Sequence, residues 1–380
     1  MLKPMPIKIL FFIPTLGHGG AERVLVNLVN HMDPKRFDIT VQTMFDVGIY
    51  RNKLNPNVRY IGGFPWYFRG NTKVFKMFSP ELLYRLYIKE EYDIIVSYLE
   101  GPSARVISGC PLNMNPKLVC WIHVEQETRS RSTYVFRSGK EADKSYGRFD
   151  KIMCVSETVR EDFMRLFPNT VEPVVLYNTV ESDIIREKAQ EIITDAYFSS
   201  NEINLISVAK LQPVKGYDRL LKALFKLREQ DATIPFHLYL VGIGEEKGNL
   251  EKLAEKLGLE DRVSFLGFKD NPYKYVKAAD LYICSSRREG FSTAVTEALI
   301  VGTPVLSTEC SGAKELLGYS NEYGLVVDNS ENGIYEGLQY LLHDDRYKLY
   351  KDKAEERGRS FNTESTVHAA EQEFEGLITQ

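Results

Sequence analysis

A chain of 380 residues is too long for one ordinary core, and 43% hydrophobic residues are enough to fill two, whereas no apolar run approaches the roughly 20 residues that span a bilayer. The net charge of −4 hides a division, since residues 1–182 carry 24 Lys and Arg against 19 Asp and Glu (+5) and residues 183–380 carry 24 against 33 (−9). The basic first half predicts an anionic partner, either a membrane surface or a phosphorylated ligand, and no nucleic acid is expected because no known binding motif appears.

Short β-branched and aromatic runs alternate with helical periodicity along the chain, which is typical of parallel sheets with helices on both faces. We therefore predict an α/β fold of two Rossmann-like, doubly wound domains that face each other across a cleft. The strands predicted in the first domain are 8–14, 37–44, 58–63, 94–99, 117–124, 151–156 and 174–180. The strands predicted in the second are 204–210, 236–242, 263–267, 281–286, 303–308 and 324–328.

The domains are expected at residues 1–182 and 183–359. The polar segment 180–204 is the predicted junction, although its ESDIIREKAQEII portion could form a helix. A helix is expected around 331–343. The last part of the chain, about 360–380, is predicted to be helical and to pack back on the first domain.

The first residues, MLKPMPIKILFFIPTLGHGG, contain a short apolar run that meets a glycine-rich turn, where a secretion signal would have a small-residue cleavage site. We interpret the run as the first strand and expect a cytoplasmic protein. The five cysteines are odd in number, widely spaced and mostly inside apolar strands. This pattern favours reduced core thiols over disulfides or a metal site.

The loop after the first strand, PTLGHGGAERVLVNLVNHM, contains Gly17, Gly19 and Gly20. Glycine permits close approach of the backbone to a ligand, and the helix predicted to start at Ala21 aims its N–H groups at the same place. The loop lacks the third glycine of a dinucleotide fingerprint and the Gly-Lys-Ser/Thr of a P-loop. On its own it is a weak signal.

Residues 64–78, FPWYFRGNTKVFKMF, include six aromatic residues, three basic ones and no acid. Aromatic side chains favour the bilayer interface and basic ones its anionic surface. A partly buried connection with ordinary snorkelling lysines explains the segment equally well. The basic segment 129–140 could likewise serve a diphosphate acceptor or face solvent. The candidates for membrane contact are Trp66, Phe68, Arg69, Lys73 and Lys76.

Several polar side chains follow strands at the edge where ligands of doubly wound sheets bind. His123 ends the apolar strand in VCWIHVEQE, where a histidine is more often a packed core residue than a ligand. Glu100, in LEGPS, and Glu125 are cleft candidates that could equally be solvated. Lys210 and Lys215 follow the first strand of the second half in AKLQPVKG, and in isolation they could be ordinary surface lysines.

The stretch RREGFSTAVTEALIVGTP (287–304) follows the strand LYICSS and contains two glutamates eight positions apart. Ser292 or Thr293 can cap a helix whose first N–H groups then favour an anion such as a phosphate. Glu297 lies about one turn into that helix, whereas Glu289 precedes the turn. Because each carboxylate accepts two hydroxyl hydrogen bonds, the pair suits a ligand with hydroxyl-rich groups on both sides of a phosphate, as in a nucleotide sugar. Taken alone, the pair could also be a solvated glutamate and a helix-surface glutamate.

These residues resemble the E-x7-E motif of glycosyltransferase family 4, present as EGFSTAVTEALIVGTPVLST followed by SGAKELL. The resemblance implies GT-B architecture, with an acceptor-binding N-terminal domain and a donor-binding C-terminal domain. It extends in order over most of the second half, through AKLQPVKGYDRLLKAL (209–224), LYLVGIGEE (238–246), RVSFLGF (262–268), AADLYICSS (278–286) and YGLVVD (323–328).

The resemblance also implies a role for each candidate. Lys210 and Lys215 would contact the donor diphosphate, although the family more often has arginine at the first position, where lysine offers a point charge in place of a bidentate fork. Glu289 would hold sugar hydroxyls, Glu297 the ribose, and His123 would position the sugar or stabilise charge near the reacting carbon. The catalytic set is therefore His123, Lys215 and Glu289. The other donor-binding candidates are Gly19, Gly20, Leu266, Gly267, Gly290, Phe291, Ser292 and Thr293, and the acceptor candidates are Gly17, His18, Glu100 and Glu125.

No Asp-x-Asp appears in the chain, so the usual carboxylate platform for a metal-bound nucleotide diphosphate is missing. A transfer without metal or cofactor is predicted, with helix N-termini and lysines neutralising the leaving group. The resemblance implies retention of the anomeric configuration. Because Glu289 is expected beside the sugar hydroxyls rather than behind the anomeric carbon, we prefer a same-face mechanism in which the departing diphosphate helps take the acceptor proton.

The resemblance favours UDP over GDP as the nucleotide of the donor, and the transferred group is predicted to be a hexose or N-acetylhexosamine. The predicted acceptor is a lipid-linked glycan for capsule, O-antigen or a similar surface glycan, reached at the anionic inner face of the cell membrane. Whether its carrier is a polyprenyl diphosphate stays open. Two alternatives stay open. One is a GT-B-like epimerase or hydrolase that acts on nucleotide sugars without an acceptor, and the other is a non-catalytic binding protein with a similar cleft.

Overall fold

The computed structural model describes residues 5–17, 19–67 and 70–379, and the chain forms two compact units. One unit runs to Val180 and takes up again at Thr363, and the other spans Glu181–Asn362. The candidates His18, Phe68 and Arg69 lie outside the described residues.

The first unit is built on a parallel sheet of seven strands. Its strands are β1 (Ile7–Ile13), β2 (Phe37–Thr43), β3 (Arg59–Ile61), β4 (Ile94–Tyr98), β5 (Lys117–Ile122), β6 (Lys151–Cys154) and β7 (Val174–Val175). The helices between them are α1 (Gly20–His31), α2 (Asn71–Met77), α3 (Pro80–Tyr87), α4 (Pro102–Ile107), α5 (Arg129–Thr133), α6 (Gly139–Tyr146) and α7 (Glu157–Leu166). The strand order is β3-β2-β1-β4-β5-β6-β7, so the direction of winding reverses between β1 and β4.

The second unit repeats this plan with a parallel sheet of six strands. Its strands are β8 (Ile203–Val208), β9 (Phe236–Val241), β10 (Val263–Gly267), β11 (Leu281–Cys284), β12 (Val305–Thr308) and β13 (Leu325–Val327). Its helices are α8 (Ser182–Lys188), α9 (Tyr217–Gln230), α10 (Lys247–Lys256), α11 (Tyr273–Ala278), α12 (Thr293–Ile300), α13 (Ala313–Leu317), α14 (Glu331–Leu342) and α15 (Lys351–Arg359). The order β10-β9-β8-β11-β12-β13 reverses between β8 and β11.

The last helix, α16 (Thr363–Thr379), belongs to the first unit. Phe374 is fully buried and meets the rings of Phe11 and Trp121 edge-on, at centroid distances of 5.8 and 6.5 Å. Arg36 donates to Glu371 at 2.8 Å across the same interface. The helix therefore supplies part of the core that covers β1 and β5.

The two predicted parallel sheets are confirmed, and each of the thirteen predicted strands is present. Most strands end one or two residues earlier than predicted, and β7 is only two residues long. Side chains explain the early end of β11, because the Ser285 carbonyl accepts from Arg219 and the Ser286 carbonyl accepts from Thr308 Oγ1. α1 begins at Gly20, one residue before the predicted start at Ala21. None of the described helices is both long and apolar enough to cross a bilayer.

Candidate active site

In the second unit a small cavity lies at the carboxyl ends of β8 and β11, the two strands between which the winding reverses. Open α/β sheets bind their ligands at such a point. Six of the lining residues bear hydroxyl groups, which suits a polyhydroxylated ligand. The lining residues are Ser207, Val208, Ala209, Lys215, Tyr217, Tyr282, Cys284, Ser285, Ser286, Glu289, Ser292 and Ala294.

An ion pair between two predicted site residues lines this cavity. The Lys215 ammonium donates to Glu289 Oε1 at 2.6 Å, and the Ser286 hydroxyl donates to the same oxygen at 2.6 Å. Only 23% of the Lys215 side chain and 14% of the Glu289 side chain are exposed. Burial by itself lowers the pKa of Lys215, but the Glu289 carboxylate outweighs burial and the pKa is raised, so the lysine stays charged. The cavity therefore holds a fixed cation and a fixed hydrogen-bond acceptor side by side.

A glycine explains how Lys215 reaches the cavity. Lys215 ends a short 3-10 turn, and Gly216 follows it with a φ of +68°. A Cβ at Gly216 would lie 2.1 Å from the Ser285 carbonyl oxygen, so only glycine lets the loop after β8 approach the loop after β11. The Ser285 hydroxyl donates to the Lys215 carbonyl at 2.9 Å and holds the two loops together.

The N-terminus of α12 borders the same cavity. The Ser292 hydroxyl accepts a hydrogen bond from the Val295 N–H at 3.4 Å, so the N-cap is Ser292 and not Thr293. Ser292 and Ala294 both line the cavity, which brings the positive end of the helix dipole to the space that Lys215 also borders. An anionic group placed there would meet both sources of positive charge.

A half-buried network that the sequence did not reveal fixes the loops around the cavity. Arg219 donates to the Ser285 carbonyl at 2.8 Å and to the Asn329 carbonyl at 3.0 Å. The Asn329 amide donates to the carbonyls of Arg287 and Glu309, each at 3.0 Å. One arginine and one asparagine thus tie the loops that follow β11, β12 and β13. The only sequence signal for Asn329 is its position directly after a strand.

Other predicted donor-binding residues pack around the turn. Glu297 is 5% exposed, so it is not the helix-surface glutamate of the alternative explanation. Phe291 is also buried, and a Cβ at Gly312 would lie 2.8 Å from its ring and 3.1 Å from the Gly290 carbonyl oxygen. The turn before α13, which contains Gly312, therefore packs directly against Gly290 and Phe291.

Lys210, Leu266 and Gly267 lie elsewhere, outside the set of described residues that line the cavity. Lys210 is exposed in the loop after β8. Leu266 stands at a bulge in β10, and Gly267 has a φ of +69° and accepts a hydrogen bond from the Gly242 N–H at 2.8 Å. The structure therefore brings Lys215, Glu289 and Ser292 together at the cavity and leaves these three positions at its periphery.

In the first unit, His123 lies directly after β5, and its backbone N–H donates to Glu100 Oε2 at 2.9 Å. The imidazole is buried, with its ring centroid 4.4 Å from that of Tyr98. Burial lowers the pKa of His123 to about 3, so the ring is neutral at physiological pH. A neutral ring could position a ligand by hydrogen bonding, which is one of the two roles expected of His123. Glu100 is engaged with backbone, and Glu125 is half-buried nearby in sequence.

The glycine loop after β1 has a local explanation. Gly19 is the N-cap residue of α1, and a Cβ there would lie 1.9 Å from Glu22 Oε2. Glycine therefore lets the Glu22 carboxylate fold back over the helix N-terminus, where negative charge is favourable. A Cβ at Gly17 would meet no atom closer than 3.4 Å, so packing alone does not require glycine at that position.

The cysteines are free thiols, and among the described residues no three His, Cys, Asp or Glu side chains are grouped so that they could hold a metal ion. Cys284 borders the cavity, and a hydrogen bond from the Cys310 thiol lowers the pKa of Cys284 below its usual value. Both thiols lie at the carboxyl ends of neighbouring strands, β11 and β12.

Two family models match consecutive parts of the chain. The model described as "Glycosyltransferase Family 4" matches residues 18–183. The model described as "Glycosyl transferases group 1" matches residues 189–360. The boundary between the two matches falls close to the division between the two units.

A Campylobacter jejuni protein is 28% identical over 375 residues, which cover 93% of this chain and 96% of that protein. Its name is N-acetylgalactosamine-N,N'-diacetylbacillosaminyl-diphospho-undecaprenol 4-alpha-N-acetylgalactosaminyltransferase. The match spans both units.

Two solved structures share the fold of the whole chain. Sucrose-phosphate synthase from Thermosynechococcus elongatus superposes with a TM-score of 0.79 at 18% identity and covers 98% of this chain and 99% of its own. Anabaena HepE in complex with UDP and glucose superposes with a TM-score of 0.75 at 19% identity, with coverage of 97% and 99%.

Proposed function

This chain belongs to glycosyltransferase family 4 and has the GT-B fold, and we propose that it is a retaining, metal-independent hexosyltransferase. Its donor would be a UDP-sugar that carries a hexose or N-acetylhexosamine, and its acceptor a lipid-linked glycan for a cell-surface polysaccharide or glycoconjugate. The observation that carries the proposal is the Lys215–Glu289 pair beside the N-terminus of α12 at the switch point of the second sheet.

The chemistry of this cavity supports a nucleotide-sugar donor. Lys215 and the α12 N-terminus offer positive charge for a diphosphate. Each lining hydroxyl already makes one hydrogen bond within the protein, but a hydroxyl can both donate and accept and so keeps a second position for a sugar or ribose hydroxyl. Glu297, buried one turn into α12, is the candidate for the ribose. UDP is supported by the Anabaena neighbour, which was solved with UDP and glucose.

The ion pair suggests how the two halves of the donor are recognised together. A diphosphate oxygen at Lys215 would compete with Glu289 for the ammonium, since both are anionic acceptors. The Glu289 carboxylate, released in part from Lys215, would then accept a hydrogen bond from a sugar hydroxyl. A ligand with the diphosphate half alone would take Lys215 from Glu289 and give that carboxylate no sugar hydroxyl in exchange.

The same pair supports a same-face transfer. A double displacement needs a carboxylate that is available to attack the anomeric carbon, whereas the role proposed for Glu289 is to accept from a sugar hydroxyl. Lys215 and the helix N-terminus would stabilise the charge that develops on the departing diphosphate, which takes the acceptor proton. The neutral His123 imidazole would position the sugar by hydrogen bonding.

Two observations support a lipid-linked acceptor bound by the first unit at the inner face of the cell membrane. Residues 1–182 carry a net charge of +5, which favours a diphosphate or an anionic surface. The Campylobacter relative is named for an acceptor that carries diphospho-undecaprenol. The glycine loop after β1, with Glu100 and Glu125, remains the proposed region for the acceptor.

The test is a panel of nucleotide sugars, incubated with the full chain with and without a polyprenyl-diphosphate-linked glycan. We expect one donor to be consumed, faster when acceptor is present, to give a product of retained configuration, and we expect chelation of metal ions to leave the rate unchanged. Donor consumption that ignores the acceptor would indicate an epimerase or hydrolase. Binding without turnover of any donor would indicate a binding protein, and an inverted product would refute the same-face mechanism.

A further inference from the structure

Large apolar side chains stay exposed on the first unit in the stretch between the end of β3 and the end of α3. They are contributed by the segment before α2 and by α2 and α3 themselves. We call them the docking face, which consists of Trp66 (66% exposed), Tyr67 (61%), Val74 (41%), Met77 (78%), Leu82 (52%) and Leu86 (48%).

In α3 the exposed apolar residues lie on a different side of the helix from the residues that fill the core. In α3, Leu83, Tyr84 and Tyr87 form the buried side, and Leu82 and Leu86 form a second apolar side four residues apart. An amphipathic surface helix normally has polar residues opposite its buried stripe. The outward side of α3 is therefore apolar in addition to a core-facing side that is already packed.

Two arginines hold α2 in place so that its apolar side cannot rotate inward. Arg105 is 2% exposed and donates to the carbonyls of Phe75 and Phe78, each at 2.8 Å. Arg137 donates to the carbonyls of Lys76 and Met77 at 2.7 and 3.0 Å. The carbonyls at the C-terminus of α2, which a helix leaves without internal partners, are thus fixed by guanidinium groups.

The charge around the docking face is strongly biased. Glu81 is the one acid among residues 64–89, and the acid that follows it in the sequence, Glu90, is paired with Arg59. An ordinary protein interface is depleted in lysine, whereas exposed tryptophan and tyrosine interleaved with lysine and arginine are typical of the headgroup region of a bilayer. The basic residues of the same stretch, 64–89, are Arg69, Lys73, Lys76, Arg85 and Lys89.

We propose that the docking face binds the surface of an anionic phospholipid bilayer, with the aromatic and aliphatic side chains in the interface and Lys73 and Arg85 at the lipid phosphates. The inference deepens the proposed function, on which it rests for the reason why a bilayer is the partner, namely access to a lipid-linked acceptor. Lipid binding itself requires neither donor nor acceptor, so it can be measured alone.

The chain offers an internal probe for this contact. It has two tryptophans, and Trp121 is buried in the core whereas Trp66 is exposed on the docking face. We expect the tryptophan emission of the full chain to shift to the blue when vesicles of equimolar phosphatidylcholine and phosphatidylglycerol are added, and brominated lipid to quench it. Trp66→Phe should abolish both signals while most of the protein still sediments with the vesicles.

Vesicle co-sedimentation tests the rest of the face. Met77→Glu with Leu82→Glu should lower partition onto the same vesicles by at least about tenfold, because charge is placed in an apolar contact with an anionic surface. Lys73→Ala with Arg85→Ala should lower it by roughly tenfold or more, at about 1 kcal/mol for each basic residue near the surface. The matched control is Tyr319→Glu with Leu349→Glu, at exposed positions of the second unit, which should bind as wild type does.

Three outcomes would contradict the docking face. Equal partition of all variants, or equal binding to pure phosphatidylcholine vesicles, would overturn the proposal. So would a change in the oligomeric state of the Met77→Glu, Leu82→Glu variant without vesicles, which would mean that a second copy covers the face. Loss of vesicle binding with intact donor turnover supports the docking face, whereas vesicle binding by a protein that turns over no donor would refute the proposed function alone.

Discussion

In the second unit, the loops after β8 and β11 hold a charged pair, Lys215 with Glu289, on which a serine hydroxyl also converges. In the first unit, the loops after β4 and β5 hold a neutral imidazole, His123, whose neighbouring carboxylate, Glu100, accepts from its backbone N–H. The two sheets have the same strand order around their centres, so the same edge is available in both. The sheet topology therefore determines where a site can form. The side chains that follow the strands determine whether that site is charged, as at Lys215 and Glu289, or neutral, as at His123.

The largest effect is expected where the first unit depends on α16. Phe374→Ala should lower the free energy of unfolding of the first unit by about 3 to 5 kcal/mol, because a fully buried ring is replaced by a cavity between Phe11 and Trp121. In a Trp66→Phe background, the emission of Trp121 during urea unfolding reports this unit alone.

Ile378→Ala, at an exposed position of the same helix, is the control and should change the midpoint little. Hydrogen exchange of the amides in β8 to β13 should be the same in both variants. Equal destabilisation of the two units would show that they unfold together and that α16 does not stabilise the first unit alone.

The next effect concerns the charged site. Lys215→Ala should reduce kcat/KM for the donor by about one to two decades, since it removes a charge-assisted contact worth about 1.5 to 3 kcal/mol. Lys222→Ala, at an exposed lysine of α9 in the same unit, is the matched control and should keep wild-type kinetics. Unchanged donor kinetics in Lys215→Ala would show that Lys215 does not bind the donor diphosphate.

The neutral, buried imidazole of His123 should make the stability of the protein depend on pH. The pKa of His123 is lowered from 6.5 to about 3 by burial, so between these values the unfolded chain binds a proton that the folded chain does not. Stability therefore rises with pH in this window and is lost as pH falls. Between pH 7 and pH 5 the wild type should lose about 2 kcal/mol that His123→Asn does not lose. Urea unfolding at both pH values measures the difference, and equal pH dependence would mean that the native imidazole is already protonated or hydrated.

The smallest effect is expected at the rim of the cavity. Arg287 makes a two-pronged contact with Asp218, 2.8 Å to each oxygen, but both side chains are more than one third exposed. Arg287→Lys should cost less than about 1 kcal/mol and change donor kcat/KM by less than roughly threefold. A large loss would show that the loops of the second unit depend on this exposed pair more than on the half-buried Arg219 network.

The strands and both sheets could be predicted from the sequence because buried parallel strands consist of unbroken β-branched and aromatic runs, as in KILFFI and LYIC. The pairing of Lys215 with Glu289 could not, because the two residues are 74 positions apart and either could have faced solvent. The same holds for Arg219 and Asn329, which are 110 positions apart.

Two further properties depend on burial, which periodicity alone does not reveal. His123 is neutral because the ring lies under the strand ends, although its sequence position suits a charged role equally well. In α3 the sequence PELLYRLY shows which residues share a face, but it does not show that leucines occupy the exposed side as well as the buried one. The hydrogen bond from the His123 N–H to Glu100 Oε2 likewise depends on the fold, because the two residues lie after different strands.

The return of α16 to the first unit has a consequence for biosynthesis. Arg36 and Glu371 are 335 positions apart, and the complete second unit lies between them along the chain. A ribosome that has reached Asn362 has produced everything the second sheet needs, whereas the apolar faces of Phe11 and Trp121 still lack Phe374. The unit that is translated first is therefore completed last, by closure of a loop that contains an already folded domain.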